Sequence, residues 1–157
     1  MDIQKTMKLS ITDQACEELR KMRGMPLKHE PEPDKVLIVE DNMSDSEILR
    51  NHLTGLGCEV YSVPTAIEAM TLLNTWRPAK MVMVDLSLPV GPSGAELIRK
   101  VLPTQRVCIV TGYATPELIE AAASVNIPVL IKGKFNKDDL QRVLKLSQAT
   151  QMKGKEI

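Results

Sequence analysis

Short apolar runs alternate with amphipathic stretches over most of the chain. Residues 36–39, 81–84 and 107–110 each contain four apolar residues in succession, which is typical of strands covered on both faces. Two further segments, 58–63 and 129–131, complete five predicted strands. Because an amphipathic stretch follows each of them, the pattern predicts a doubly wound α/β protein, with a five-stranded parallel sheet and helices on both faces.

Helix start signals follow the predicted strands. Ser44 and Thr65 are each followed three residues later by glutamate, which predicts capping boxes at both positions. Thr115, which precedes a proline, and Asn136 predict the starts of the last two helices. A further helix, between the strand at 81–84 and the strand at 107–110, is predicted over residues 95–102.

The residues before the first strand are predicted to form an N-terminal extension, 1–34, ahead of a body at 35–147 and a polar tail at 148–157. A short helix is expected over residues 12–23, with Thr12 as its N-cap and a proline-rich linker after it. About three helical turns with one apolar stripe are not stable alone in water. The stripe is therefore expected to pack on the body, to pair with a second copy as a homodimer, or to bind another protein.

Composition narrows the function classes. Twenty basic residues balance twenty acidic ones, so no net field attracts nucleic acid or a membrane surface, and no DNA-binding domain is expected. No apolar run has the length of a membrane span, and the start lacks the apolar core of a signal peptide. Cys58 and Cys108 lie in strand-like runs and are expected to be buried thiols, which agrees with a cytoplasmic location. The segment after residue 146 is too short for an output domain, so a single-domain protein is expected.

The residues at the strand ends carry the candidate chemistry. Four strands end in polar residues: Glu40 and Asp41, Asp85, Thr111, and Lys132. Because the carboxyl ends of parallel strands share one edge of a sheet, these side chains are expected to line one pocket. Clustered carboxylates suit Mg²⁺, so the pocket predicts phosphoryl transfer with Asp85 as the nucleophile. The cation and Lys132 are expected to neutralise charge on the transferred group, while the Thr111 hydroxyl bonds one of its oxygens.

From Lys35 to about Leu146 the chain resembles the receiver domain of two-component response regulators. The resemblance rests on the segments VLIVEDN, MVMVDLSLP, VTG and LIK, which match the family's four anchor motifs. It implies a flavodoxin-like receiver fold and phosphoryl transfer from the phosphohistidine of a histidine kinase or histidine phosphotransfer protein. It also implies that the receiver hydrolyses its own acyl phosphate and acts on a downstream protein target.

The resemblance assigns a role to each matching residue. It makes Glu40, Asp41 and Asp85 Mg²⁺ ligands together with the Ser87 backbone carbonyl, Asp85 the phospho-acceptor, Thr111 the switch hydroxyl and Lys132 the phosphate-contacting lysine.

The chain departs from the family pattern at several positions. Gly133 stands where the family usually has proline, and Val129 stands where many members carry an aromatic switch residue. These two departures support an alternative, a pseudo-receiver that docks a partner without phosphorylation. Gly94 lies one residue later than usual, and Tyr113 occupies a position that tunes dephosphorylation in the family. A phosphatase of the haloacid-dehalogenase type is disfavoured, because Ser87 stands where that class needs a second aspartate.

Overall fold

The structure, a computed structural model, describes most of the 157-residue chain. The described residues are 3–23, 32–76 and 80–145, with the backbone alone described for 3–12. The proline-rich linker predicted after the first helix and the polar tail predicted at 148–157 lie outside the described residues.

The chain divides into two compact units, and the first of them, residues 1–32, contains the helix α1, Ile3–Met22. The predicted start at Thr12 is wrong, since the helix begins at Ile3. Neither proline nor glycine occurs in this helix, so nothing in the sequence breaks it ahead of Thr12. Leu19 and Met22, two apolar residues of this helix, are 66% and 61% exposed.

The second unit, residues 33–157, is built on a parallel sheet with the strand order β2-β1-β3-β4-β5. Its strands are β1, Lys35–Val39; β2, Glu59–Val63; β3, Met81–Asp85; β4, Val107–Thr111; and β5, Val129–Ile131. The five predicted strands are confirmed to within one residue at each end. Because β1 pairs with both β2 and β3, the direction of winding reverses between β1 and β3, which leaves a crevice at their carboxyl ends.

In the described part of the second unit, five helices cover the sheet. They are α2, Met43–Gly55; α3, Ala66–Thr75; α4, Gly94–Val101; α5, Pro116–Ser124; and α6, residues 137–145. The predicted caps Thr65, Thr115 and Asn136 are confirmed, because each side chain accepts a hydrogen bond from the backbone N–H three residues later. The helix predicted over 95–102 is α4 and begins one residue earlier, with Ser93 as its N-cap.

The start of α2 differs from the prediction. Asn42, and not Ser44, is the N-cap, and its side chain accepts a hydrogen bond from the Asp45 N–H at 3.1 Å. Asn42 has the extended backbone, with φ −81° and ψ 115°, that an N-cap requires. Asparagine caps helices about as well as serine, so the first competent residue after β1 starts the helix. Asp45 consequently belongs to the first turn of α2.

An apolar core lies on each face of the sheet. Leu37 and Val39 of β1 pack with α3, α4 and α5, whereas Val36 and Ile38 pack with α2 and α6. Burying each such side chain contributes about 1.5–3 kcal/mol relative to leaving it exposed. The two cores hold β1 between layers of helices, so the residues that follow β1 start from a rigid position.

Two further expectations concern cysteines and membranes. Cys58 and Cys108 are buried and unpaired, as predicted, and burial raises the pKa of both thiols. Among the described residues, no helix combines the length and the apolar character needed to cross a bilayer.

Candidate functional site

The three predicted acids lie together at the crevice between β1 and β3. Asp85 is the last residue of β3, while Glu40 and Asp41 directly follow β1. As whole residues, Asp85 and Glu40 are 4% and 7% exposed, whereas Asp41 is open to solvent. One carboxylate oxygen from each residue lies within 4.8 Å of the other two. Acids from two neighbouring strands therefore share one pocket with an accessible side.

Lys132 reaches these acids from the end of β5. Its Nζ lies 2.6 Å from Glu40 Oε2 and 3.0 Å from Asp85 Oδ2. It also lies 3.1 Å from Asp45 Oδ2. Because β4 separates β3 from β5 in the sheet, the lysine stem spans the end of β4 to reach Asp85. An ammonium group has three N–H donors, so these three carboxylates use its full donor capacity.

Local backbone groups orient the two buried acids. The Ser87 N–H donates to Asp85 Oδ1 at 2.9 Å, and the Asn42 N–H donates to Glu40 Oε1 at 3.0 Å. Each of these carboxylates therefore has one oxygen held by the following loop and the other by Lys132. Such donors hold the acids in place before any ligand arrives. Ser87 thus contacts Asp85 through its amide, and the role of its carbonyl as a metal ligand stays a prediction.

Gly94 packs directly against the backbone at the end of β3. A Cβ atom at this position would lie 2.8 Å from Leu86 Cα and would also collide with the Asp85 carbonyl oxygen. Real Cβ contacts are not this short, so any other residue would push the backbone beside Asp85 out of place. The first residue of α4 therefore helps to position the candidate phospho-acceptor.

Thr111 ends β4 and is buried, but its hydroxyl is directed into its own loop. Oγ1 donates to the Tyr113 carbonyl at 3.0 Å and accepts a longer bond, 3.4 Å, from the Tyr113 N–H. In the described part of the chain, the Thr111 hydroxyl bonds its own loop and no bond joins it to the carboxylates or to Lys132, so its role as a switch hydroxyl stays a prediction. The Tyr113 side chain, by contrast, is 77% exposed.

A tight turn follows Lys132. The Lys134 N–H donates to the Ile131 carbonyl at 3.0 Å, and Gly133 has a φ of +76°. Lys132 is not among the described residues with positive φ, so the geometry is that of a type II turn with glycine at its third position. Proline, with φ fixed at about −65°, does not fit this position. The chain therefore orients Lys132 with a turn that the usual lysine-proline pair does not form.

Burial dominates the electrostatics of the cluster. Desolvation raises the pKa of Glu40 from its ordinary 4.5 to about 7, although Lys132 and the Asn42 N–H both act to lower it. Hydrogen bonding to Asp85 and the charge of Asp85 raise the pKa of Glu40 further. Desolvation lowers the pKa of Lys132, but its hydrogen bonds to the three carboxylates outweigh this effect and keep that pKa above its ordinary value. Lys132 is therefore charged at neutral pH, while Glu40 is only partly ionised.

The donor set fits Mg²⁺. The three acids offer hard oxygen ligands within 4.8 Å of one another. Mg²⁺ prefers such hard oxygen ligands and is usually held by one or two carboxylates, so these acids are the residues that would hold the ion. The exposed side chain of Asp41 leaves room for the water molecules that Mg²⁺ retains. A single lysine leaves the carboxylates with excess negative charge, which a divalent cation offsets.

Asp45 is a member of the cluster that the sequence analysis missed. It lies on the first turn of α2, which starts at the same sheet edge as the pocket. The prediction of Ser44 as the N-cap is the reason that Asp45 was missed. With a helix that starts two residues later, Asp45 is expected to be an ordinary solvent-exposed acid. The spacing Asn42-x-x-Asp45 is the signal in the sequence that identifies the true first turn.

The strand order, with an acidic pocket at the point where the winding reverses, defines a flavodoxin-like, doubly wound α/β protein. A family model described as the response regulator receiver domain matches residues 36–145. The chain therefore belongs to the response regulator receiver domain family, whose members act in two-component signalling. The resemblance and the fold class predicted from the sequence are both confirmed.

Solved structures share this fold. A CheY-like response regulator receiver domain protein from Methanospirillum hungatei JF-1 is 26% identical, with a TM-score of 0.63, and the match covers 78% of this chain and 98% of that one. The chemotaxis response regulator CheY4 of Vibrio cholerae is 22% identical, with a TM-score of 0.61, over 73% of this chain and 98% of that one. At this lower identity the likeness shows the fold alone. A search of curated proteins finds no match to the sequence.

Proposed function

We propose that this receiver accepts a phosphoryl group on Asp85 in a Mg²⁺-dependent reaction. The phosphohistidine of a histidine kinase or histidine phosphotransfer protein supplies the group, and the receiver then signals through contacts with a downstream protein. One observation carries the proposal: oxygens of Glu40, Asp41 and Asp85 lie within 4.8 Å of one another, with Lys132 Nζ 3.0 Å from Asp85.

Several oxygen atoms of the pocket would bind Mg²⁺ together. Glu40, Asp41 and Asp85 would hold the ion, with the Ser87 carbonyl as a further ligand. When bound, the ion neutralises negative charge on the phosphoryl group during transfer. Glu40 would bind the ion as a carboxylate, so the proton that its raised pKa retains near neutral pH would be released on binding.

The transfer itself is a displacement at phosphorus. A carboxylate oxygen of Asp85 attacks the phosphorus atom, the phosphorus–nitrogen bond breaks, and its electron pair leaves on the imidazole of the donor. Lys132 donates to an oxygen of the transferred group. The phosphorylated state ends by hydrolysis: water attacks the phosphorus atom, the phosphorus–oxygen bond to Asp85 breaks, and inorganic phosphate leaves while the carboxylate is restored.

The loop after β4 links the reaction to the surface. On phosphorylation the Thr111 hydroxyl exchanges the Tyr113 carbonyl for a phosphoryl oxygen, which releases the loop ahead of α5. Beside this loop lies an apolar groove of about 260 Å³ between α5 and β5. It is lined by Ala114, Ile119, Ala123, Ile127, Val129 and Ile131. A downstream protein is proposed to bind at this surface.

The test uses a small phosphodonor, so that it does not depend on the cognate kinase. Wild-type protein incubated with acetyl phosphate and MgCl₂ is expected to gain one phosphoryl group in intact mass spectrometry, and EDTA is expected to prevent this. Asp85→Asn is expected to gain none. Asp138→Asn, which removes an exposed acid from α6, is the matched control and should behave as the wild type. Equal phosphorylation of wild type and Asp85→Asn contradicts the assignment of the acceptor.

A pseudo-receiver that docks a partner without phosphorylation is the second candidate. The positive φ of Gly133 and the presence of Val129 favour it, because both replace parts of the family's usual switch. Beryllofluoride with MgCl₂ distinguishes the two. Binding that requires Asp85, with NMR shifts near Thr111, supports the receiver, whereas the absence of binding by folded wild-type protein supports the pseudo-receiver.

A further inference from the structure

We propose that Asp45 is a positioning residue that holds Lys132 in the unphosphorylated state and thereby opposes phosphorylation of Asp85. The inference rests on the proposed function, because it concerns the same acceptor. It adds a regulatory residue on α2 to the site.

The contact between Asp45 and Lys132 joins two distant parts of the fold. Asp45 Oδ2 lies 3.1 Å from Lys132 Nζ, although the residues are 87 positions apart in the sequence. The side chain of Asp45 is 35% exposed, compared with 4% for Glu40 and Asp85, so it meets the lysine from the solvent side.

Asp45 also stands apart from the proposed cation site. Among the described residues, the acids whose ligand atoms lie within 4.8 Å of one another are Glu40, Asp41 and Asp85. A bound cation would share the oxygens of Glu40 and Asp85 with Lys132 but not the oxygen of Asp45. Asp45 is then the carboxylate that retains the ammonium group of Lys132.

A phosphoryl group must compete with this retained contact. Both the phosphoryl oxygens and the Asp45 carboxylate are anions that attract the same ammonium group, and they repel each other. At a separation of about 6 Å, and with the effective dielectric constant of about 40–80 that suits a partly exposed carboxylate, one negative charge changes the binding of a phosphoryl group roughly three- to tenfold. Asp45 therefore slows phosphorylation and weakens the phosphorylated state by a factor in this range.

The test compares two variants on the same helix. Asp45→Asn removes the charge with little change of shape, and the bond from its backbone N–H to Asn42 is retained. Glu47→Gln removes the same charge from an exposed neighbour that has no described contact with Lys132 and is the matched control. We expect Asp45→Asn to be phosphorylated by acetyl phosphate three- to tenfold faster and to bind beryllofluoride correspondingly tighter. Glu47→Gln should match the wild type.

Two additional measurements separate an electrostatic role from a merely structural one. The gain of Asp45→Asn should shrink as ionic strength rises, and Asp45→Glu should restore the wild-type rate. Lys132 should also be acylated faster by an N-hydroxysuccinimide ester in Asp45→Asn, without any phosphodonor. Asp45→Ser replaces the asparagine variant if thermal unfolding shows that the latter does not fold.

The outcomes distinguish this inference from the proposed function. Phosphorylation of Asp45→Asn at the wild-type rate or slower overturns the role of Asp45 while leaving Asp85 as the acceptor. Failure of the wild type to be phosphorylated overturns the proposed function instead. In that case Lys132 acylation still tests the contact, and equal acylation in wild type and Asp45→Asn removes the holding role as well.

Discussion

Replacing Glu40 by glutamine is expected to remove a pH dependence of stability that the pocket imposes. Desolvation raises the pKa of Glu40 in the folded protein from 4.5 to about 7. Between these values the folded state retains a proton that the unfolded chain has lost, so the free energy of unfolding falls as pH rises. The loss begins near pH 4.5 and is complete above about pH 7, where Glu40 is ionised in both states.

The size of the effect follows from the shift. Each pKa unit corresponds to about 1.4 kcal/mol, so a rise from 4.5 to about 7 costs the wild type at most about 3 kcal/mol at high pH. Glutamine has nearly the shape of the neutral acid and keeps a carbonyl acceptor for Lys132. Wild type and Glu40→Gln are therefore expected to have similar stability near pH 5, whereas the variant is more stable by about 2–3 kcal/mol near pH 8.

Urea unfolding between about pH 5 and pH 8, in buffers with EDTA, measures this difference. Glu120→Gln, an exposed acid on α5, is the control and should follow the wild-type curve. Adding MgCl₂ at pH 8 should stabilise the wild type, because binding takes the ionised form of Glu40, and should stabilise Glu40→Gln less. Parallel curves for wild type and Glu40→Gln across this pH range, without Mg²⁺, would refute the reasoning.

Substitutions at three further positions test other parts of the site. Gly94→Ala is expected to destabilise the protein by about 1–3 kcal/mol in urea unfolding and to slow phosphorylation, because its Cβ collides with the backbone at Asp85. Gly55→Ala is the control and should not destabilise the protein, because a Cβ at Gly55 lies in open space. Gly133→Ala should cost about 1–2 kcal/mol because of the positive φ, and Gly133→Pro should cost more; a proline variant as stable as wild type contradicts the turn described here. Tyr113→Ala should shorten the lifetime of the phosphorylated state if the side chain restricts water entry, and equal lifetimes in a phosphate-release assay remove that role.

Much of the fold could be predicted from local pattern. Buried parallel strands need continuous apolar runs, and such runs at Val36 and Met81 identify β1 and β3 without reference to the rest of the molecule. Since the strands are parallel, all their carboxyl ends lie at one edge of the sheet, and the placement of Glu40, Asp85 and Lys132 near one another also followed from the order of elements. The start of α1 at Ile3 was missed, because a helix without breakers has no local mark for its first turn.

Side-chain direction was decided by the tertiary structure. Residue order places Thr111 at the pocket edge, but the loop backbone at Tyr113 determines where its hydroxyl points. Asp45 joins Lys132 only because α2 begins at Asn42, and Gly133 orients that lysine through a positive φ.

The sequence by itself determined the strands, their parallel arrangement and which residues end them, because these depend on apolar burial and chain connectivity over short distances. The tertiary structure alone decided which carboxylates share the ammonium group of Lys132 and how far burial raises the pKa of Glu40. Both depend on distances between atoms that lie far apart in the chain, and electrostatic energies change steeply with such distances and with exclusion of water.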